Sequence, residues 1–74
     1  IFDIYVTNET RLVGKRLNNC GFHRNQLMVV GIRRPNKEFH FAPDVDYCFK
    51  NGDCLIVIGT RSGHEDLKKS IYIK

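Results

Sequence analysis

The sequence predicts a small α+β sandwich. A mixed or antiparallel sheet carries helices on one side, in the order β-α-β-β-β-α with an optional short strand to finish. Three observations support this. Phe2–Thr7 and Glu38–Phe41 alternate apolar and polar residues, and Leu27–Arg34 and Cys54–Ile58 are nearly continuous apolar runs. Arg11–Cys20 and Ser62–Ser70 have the apolar spacing or the charge placement of helices.

In the first strand Phe2, Ile4 and Val6 share one face, and Asp3, Tyr5 and Thr7 share the other. Asn8 or Thr10 can then cap a helix, because a short side-chain oxygen satisfies a free backbone N–H. In the predicted helix Arg11–Cys20, Val13, Leu17 and Cys20 form a stripe flanked by Leu12. Gly14 costs that helix about 1 kcal/mol against Ala, which suggests the close approach of another backbone. Gly21 ends the helix, and Gly21–Gln26 is an irregular polar stretch.

Leu27–Arg34 reads as a central strand buried on both faces. Pro35-Asn36-Lys37 turns the chain into Glu38–Phe41, so the two strands form a hairpin with Phe39 and Phe41 on one face. Pro43 stops the edge strand, and Tyr47 and Phe49 plug one end of the core. Gly52-Asp53 makes a tight turn into the second buried strand, Cys54–Ile58, and Gly59-Thr60 leaves it. The closing helix has Ser62 or Gly63 near its cap, Glu65 and Asp66 in its first turn, and Lys68 and Lys69 in its last. Ile71-Tyr72-Ile73 is the optional final strand.

Residues 1–74 read as one domain, and the opening Ile1-Phe2, without an initiator Met, is expected to belong to a longer protein. The charge of +4 is scattered, with adjacent basic pairs only at Arg33-Arg34 and Lys68-Lys69, so a solvated surface accounts for it and no nucleic acid is expected. A nucleic-acid-contacting regulator remains the alternative from another class. Cys20, Cys48 and Cys54 form no metal or redox pattern and read as buried or half-buried thiols in a reducing compartment.

Enzymatic constellations are lacking. His23, His40 and His64 stand in no recognisable nucleophile setting, and nucleophile-elbow, zinc-protease and phosphate-loop patterns are absent, so the protein is read as a non-enzyme. Gly59–Gly63 has the form of a strand-to-helix turn and lacks the spacing of a phosphate loop. Asp44 and Asp46, with His40 nearby, offer ligands to a hard cation but match only a fragment of such a site; a solvated acidic loop is the plainer reading. Between Asn18 and Gln26, Phe22 has no place in either adjoining alternation. It reads as an exposed apolar residue seeking a partner, or else as a cap folded back on its own helix. Cys20, Phe22, His23 and Arg24 are therefore the candidate contacts with a partner.

The pattern as a whole resembles a known family. Thr10–Leu17, "TRLVGKRL", Val29–Arg34, "VVGIRR", and Pro43 followed by Gly52–Gly59, "GDCLIVIG", are similar in order to the motifs of the C-terminal subdomain of RCK domains, the TrkA-C domain. Asp46–Asp53, "DYCFKNGD", resembles the version found in ligand-gated prokaryotic potassium channels. The resemblance implies a regulatory module that dimerises through the Cys20–Arg24 region. In the full protein it would follow a Rossmann-like subdomain and act on a membrane pore from the cytoplasmic face. It also implies an effector there, a divalent cation or a small nucleotide. The same module on a potassium uptake transporter or cation antiporter is the nearest alternative. Gly52, Asp53 and Gly59 become scaffold in this reading. Gly21-Phe22 stands roughly where relatives that bind cyclic di-AMP carry an aliphatic–Arg pair, a departure that argues against that ligand.

Overall fold

In a computed structural model, which describes residues 1–72, four strands and one helix form an α+β layer. The strands are β1 (Phe2–Tyr5), β2 (Leu27–Arg33), β3 (Phe39–Phe41) and β4 (Cys54–Gly59), and the helix is α1 (Arg61–Ile71). The sheet runs β1-β4-β2-β3 and every pair is antiparallel. Phe2 faces Val57 and Tyr5 faces Cys54, while Leu27 faces Gly59 and Arg33 faces Cys54. The register shifts between Val29 and Gly31, where Val30 is the extra residue of a bulge.

Alternation decides what is buried. Ile4, Leu55, Val57, Ile32 and Leu27 point to one face and meet Leu67 and Ile71 of α1, with Leu12, Phe22 and Phe49 closing the ends. β2 was expected to be buried on both faces, but Met28 on its other face is exposed, because helix and loops cover only one side of the sheet. The β2–β3 hairpin forms as predicted, with Phe39 and Phe41 together on that open side.

The first helix is not formed. Arg11–Cys20 contains only a 3₁₀ turn, Leu17–Asn19. Its backbone bonds go elsewhere: Gly14 N–H donates to Phe49 O (2.9 Å), Leu17 N–H to Tyr47 O (2.9 Å), and Lys15 O accepts from Phe49 N–H (2.9 Å). The segment is thus tied to the chain at Tyr47–Phe49, with only short turns of its own, among them Lys15 N–H to Leu12 O and Asn19 N–H to Arg16 O, both 3.0 Å. Leu12 reaches the core while Val13, on the predicted stripe, is exposed. Gly14 is required by its φ of +83°, and nothing lies within 4 Å of where a Cβ would sit, so close backbone approach is not its reason. Thr10 caps no helix; its buried hydroxyl donates to Thr7 O (2.8 Å).

α1 begins before the predicted cap. Thr60 is the N-cap, its Oγ1 accepting from Gly63 N–H at 3.0 Å, so Glu65 and Asp66 lie beyond the first turn, while Lys68 and Lys69 do occupy the last. Ile71 ends the helix, and Tyr72 makes a single bridge to Thr10 in place of the optional strand; Ile73 lies outside the described residues.

The turn before β4 is anchored by Asp53, which has no exposed surface. Its Oδ2 accepts from the Tyr47 hydroxyl (2.7 Å) and from Lys50 N–H (3.0 Å). Arg34 Nε lies 3.3 Å from Oδ1 without hydrogen-bond alignment, so charge holds that contact. Gly52 adopts φ +96° against Pro35, whose Cγ would lie 2.7 Å from an added Cβ. Gly59 is also scaffold: a Cβ there would lie 2.8 Å from Gln26 O, at the entry to β2.

Leu55→Ala, at a fully buried position of β4, is expected to cost about 2–5 kcal/mol in denaturant melts. Tyr47 gives a second test. Burial, the bond to Asp53 and the Asp53 charge push its hydroxyl up to about 12, with Arg34 opposing. An unfolded tyrosine releases its proton near pH ~10. The folded state therefore keeps a proton that the unfolded state has lost, and the Tyr47 contribution, complete below about pH 10, disappears as pH rises towards about 12. Tyr47→Phe should flatten the fall of stability over that window; an unchanged slope would disprove the bond to Asp53.

Candidate functional site

The segment Arg11–Asn19, the loop Gly21–Asn25, the start of β2 and the stretch Ala42–Val45 enclose one open groove of about 1280 Å³. Arg11, Lys15 and Arg24 bring positive charge to it, and Asp66 of α1 is its one carboxylate among the described residues. Leu17, Phe22, Val29, Pro43 and Val45 supply apolar wall. Basic groups beside apolar surface suit a ligand with phosphate or carboxylate groups and a flat apolar part.

Backbone pairing builds these walls. Leu17 N–H donates to Tyr47 O and Asn18 N–H to Val45 O (3.0 Å), so the Arg11–Asn19 wall and the Ala42–Val45 wall are joined. The loop between them is tied by the Asn25 side chain, which donates to Gly21 O at 2.9 Å, and by Leu27 N–H to Phe22 O at 2.8 Å. α1 presses on this loop at Gly63, where an added Cβ would lie 3.4 Å from the Asn25 carbonyl carbon.

Cys20, Phe22, His23 and Arg24 all line the groove. Their exposures differ from expectation. Phe22 is 4% exposed and packs edge-to-face on Phe49 with centroids 6.2 Å apart, so it is core at the groove floor and no free apolar residue awaiting a partner. The cap reading was nearer, although no helix lies beneath it. His23 and Arg24 are exposed. Cys20 is half-buried, its thiol donates to Arg16 O, and burial raises its pKa while Lys15 opposes, which keeps it from acting as a thiolate. Cys54 is buried, while Cys48 is exposed, against expectation. His64 stacks on Phe2 at 4.0 Å, and burial followed by the Lys68 charge lowers its pKa, with Glu65 opposing.

The cation candidates are not assembled. His40 is exposed on β3, and Asp44 Oδ1 accepts from Asp46 N–H (3.0 Å) in a turn of its own. Among the described residues no three His, Cys, Asp or Glu side chains cluster as a metal site would need. Arg11, Lys15 and Val45 were not singled out from the sequence. Their convergence depends on the pairing between Leu17–Asn18 and Val45–Tyr47, which no local pattern announces.

Residues 1–72 match the TrkA-C domain family. No curated protein matches the chain. Among solved structures, the chain is similar to the RCK_C domain dimer of S. agalactiae BusR in complex with c-di-AMP, at 17% identity and a TM-score of 0.76, covering 93% of this chain and 85% of that one. It is also similar to S. agalactiae BusR in complex with its busAB-promotor DNA (17% identity, TM-score 0.76), where it covers 93% of this chain but spans only 34% of that one. A structure described as an RCK domain with cda is 28% identical with a TM-score of 0.74, covering 95% of this chain and 94% of that one. The motifs, the antiparallel layer with its single helix and the match along nearly the whole length agree: this chain belongs to the TrkA-C domain family.

Proposed function

We propose that this domain is a non-enzymatic, homodimeric sensor whose groove takes a small anionic nucleotide of the cyclic dinucleotide class. The observation behind this is the groove itself. Three cationic side chains stand against apolar walls, and the groove is open to solvent along one side. A site left open on one side reads as one wall of a larger one, which a second copy would complete. Cys20, Phe22, His23 and Arg24 keep their place in that contact, Phe22 as support from below. The departure at Gly21-Phe22 moves the expected phosphate contact to Arg24, with Arg11 and Lys15 as its companions. Two of the similar structures hold c-di-AMP or cda, which supports this ligand class.

The output we assign to a potassium channel at the cytoplasmic face of the membrane, with a Rossmann-like subdomain joining sensor to pore. The Asp46–Asp53 pattern supports it. No helix among the described residues is long and apolar enough to cross a membrane, so the pore would lie elsewhere in the parent protein. Control of transcription is the second reading, favoured by the likeness to promoter-bound BusR. In either case the effector works by binding one subunit arrangement better than the other.

Titration calorimetry with cyclic di-AMP should give saturable binding, weakened at least about tenfold, ~1.4 kcal/mol, by Arg24→Glu. No heat at any accessible concentration would refute the effector assignment. For the output, rubidium flux through vesicles carrying the intact protein should respond to the effector. Effector-sensitive binding to promoter DNA without flux would replace the channel by the transcription reading.

A further inference from the structure

The face of the sheet turned away from α1 is uncovered and apolar. Phe41 (76% exposed), Tyr5 (56%) and Ile58 (48%) stand on it with Phe39 and the half-buried Ile56. Phe39 lies across Gly31 and meets Phe41 edge-to-face at 4.6 Å, so the aromatic pair is a fixed ridge along the β3 edge. Two charges share this face. Asp3 on β1 is level with Ile56, and Arg33 on β2 is level with Cys54. Both are exposed, and neither has an ion-pair partner among the described residues.

An apolar strip with one free acid and one free base on either side of it is self-complementary, the property that a two-fold contact demands. We propose that this sheet face is a contact surface for a second copy of the chain, in which Asp3 of each copy pairs with the partner's Arg33. The strand register makes this specific. Strands lie about 4.8 Å apart and alternate residues about 6.8 Å apart along a strand. A two-fold axis that lays Asp3 over the partner's Arg33 must pass over β4 between Cys54 and Ile56, inclined roughly 35° to the strands. The charges alone fix that axis, yet it also carries Ile58 onto the partner's Phe41, the most exposed residue of the ridge. The two sheets then cross at roughly 70°, towards the orthogonal class of sheet packing.

Four strands about 4.8 Å apart make a narrow face, so it acts as an added contact between copies already brought together in the parent assembly. It lies on the opposite side of the sheet from the core, and it does not rest on the effector reading. The occupant is a second copy because a lipid surface or an acidic partner would answer to Arg33 and leave Asp3 unopposed.

The test uses the intact protein with Cys48→Ser and Cys54→Ala, because Cys54 lies directly opposite Arg33 across the β2–β4 pair and would bond to a cysteine placed there. Asp3→Cys with Arg33→Cys should give disulfide-linked copies under mild oxidation; the two positions are about 12 Å apart within one chain, too far for an internal bond. Asp3→Arg should weaken the higher-order species in sedimentation at least about tenfold, and Asp3→Arg with Arg33→Asp should restore it. Both positions are exposed, so unchanged circular dichroism accompanies the expected result. No crosslink, or a charge swap that fails to restore association in a folded protein, would overturn the proposal. Vesicle binding lost with Arg33→Asp but indifferent to Asp3→Arg would overturn it in favour of a lipid surface.

Discussion

Asp53 accepts a hydrogen bond from the Tyr47 hydroxyl and another from Lys50 N–H, and it faces the Arg34 guanidinium, all without exposure to water. Removing a carboxylate from water is costly, and hydrogen bonds together with an opposite charge offset the cost. Here the partners come from the end of β2, from the connection that follows β3, and from the turn into β4. Satisfying one side chain therefore fixes the relative placement of three segments. Asp53 O also accepts from Val6 N–H at 2.8 Å, which extends the constraint to the chain leaving β1.

The groove inherits its shape from that arrangement. Tyr47, held through Asp53, offers its carbonyl to Leu17, and two residues earlier Val45 offers its own to Asn18. A rigid centre thus holds an open wall in place. For the proposed sensor such a wall would be useful, because a ligand bridging it to a second copy would add binding energy only to the paired arrangement.

The strands were legible because their side-chain period is short and each face has a distinct environment, as in Ile4 and Val6 against Tyr5. The hairpin was legible from Pro35 and its flanking runs, and α1 from its closing lysines. The absent helix shows where local pattern misleads. Val13, Leu17 and Cys20 have helical spacing, but Leu12 is the residue that reaches the core, and a glycine at φ +83° cannot sit within an α-helix. The groove was legible only in part. Cys20–Arg24 stood out as irregular, whereas Arg11 and Lys15 had been placed on a helix that does not exist, and Phe22 drew notice for an exposure it lacks.

The pairing of Leu17 and Asn18 with Tyr47 and Val45 bears on the order in which the molecule assembles. A helix would have formed from neighbours within one turn, early and on its own. This wall must wait until two distant stretches of chain meet, so it carries a loop-closure cost and forms after the hairpin. By the same argument it is among the first parts to open in the native state, and amide exchange there reports local release before global unfolding. A ligand seated in the groove, as proposed, would act as a late fastening, so that recognition and the last step of folding would become a single event.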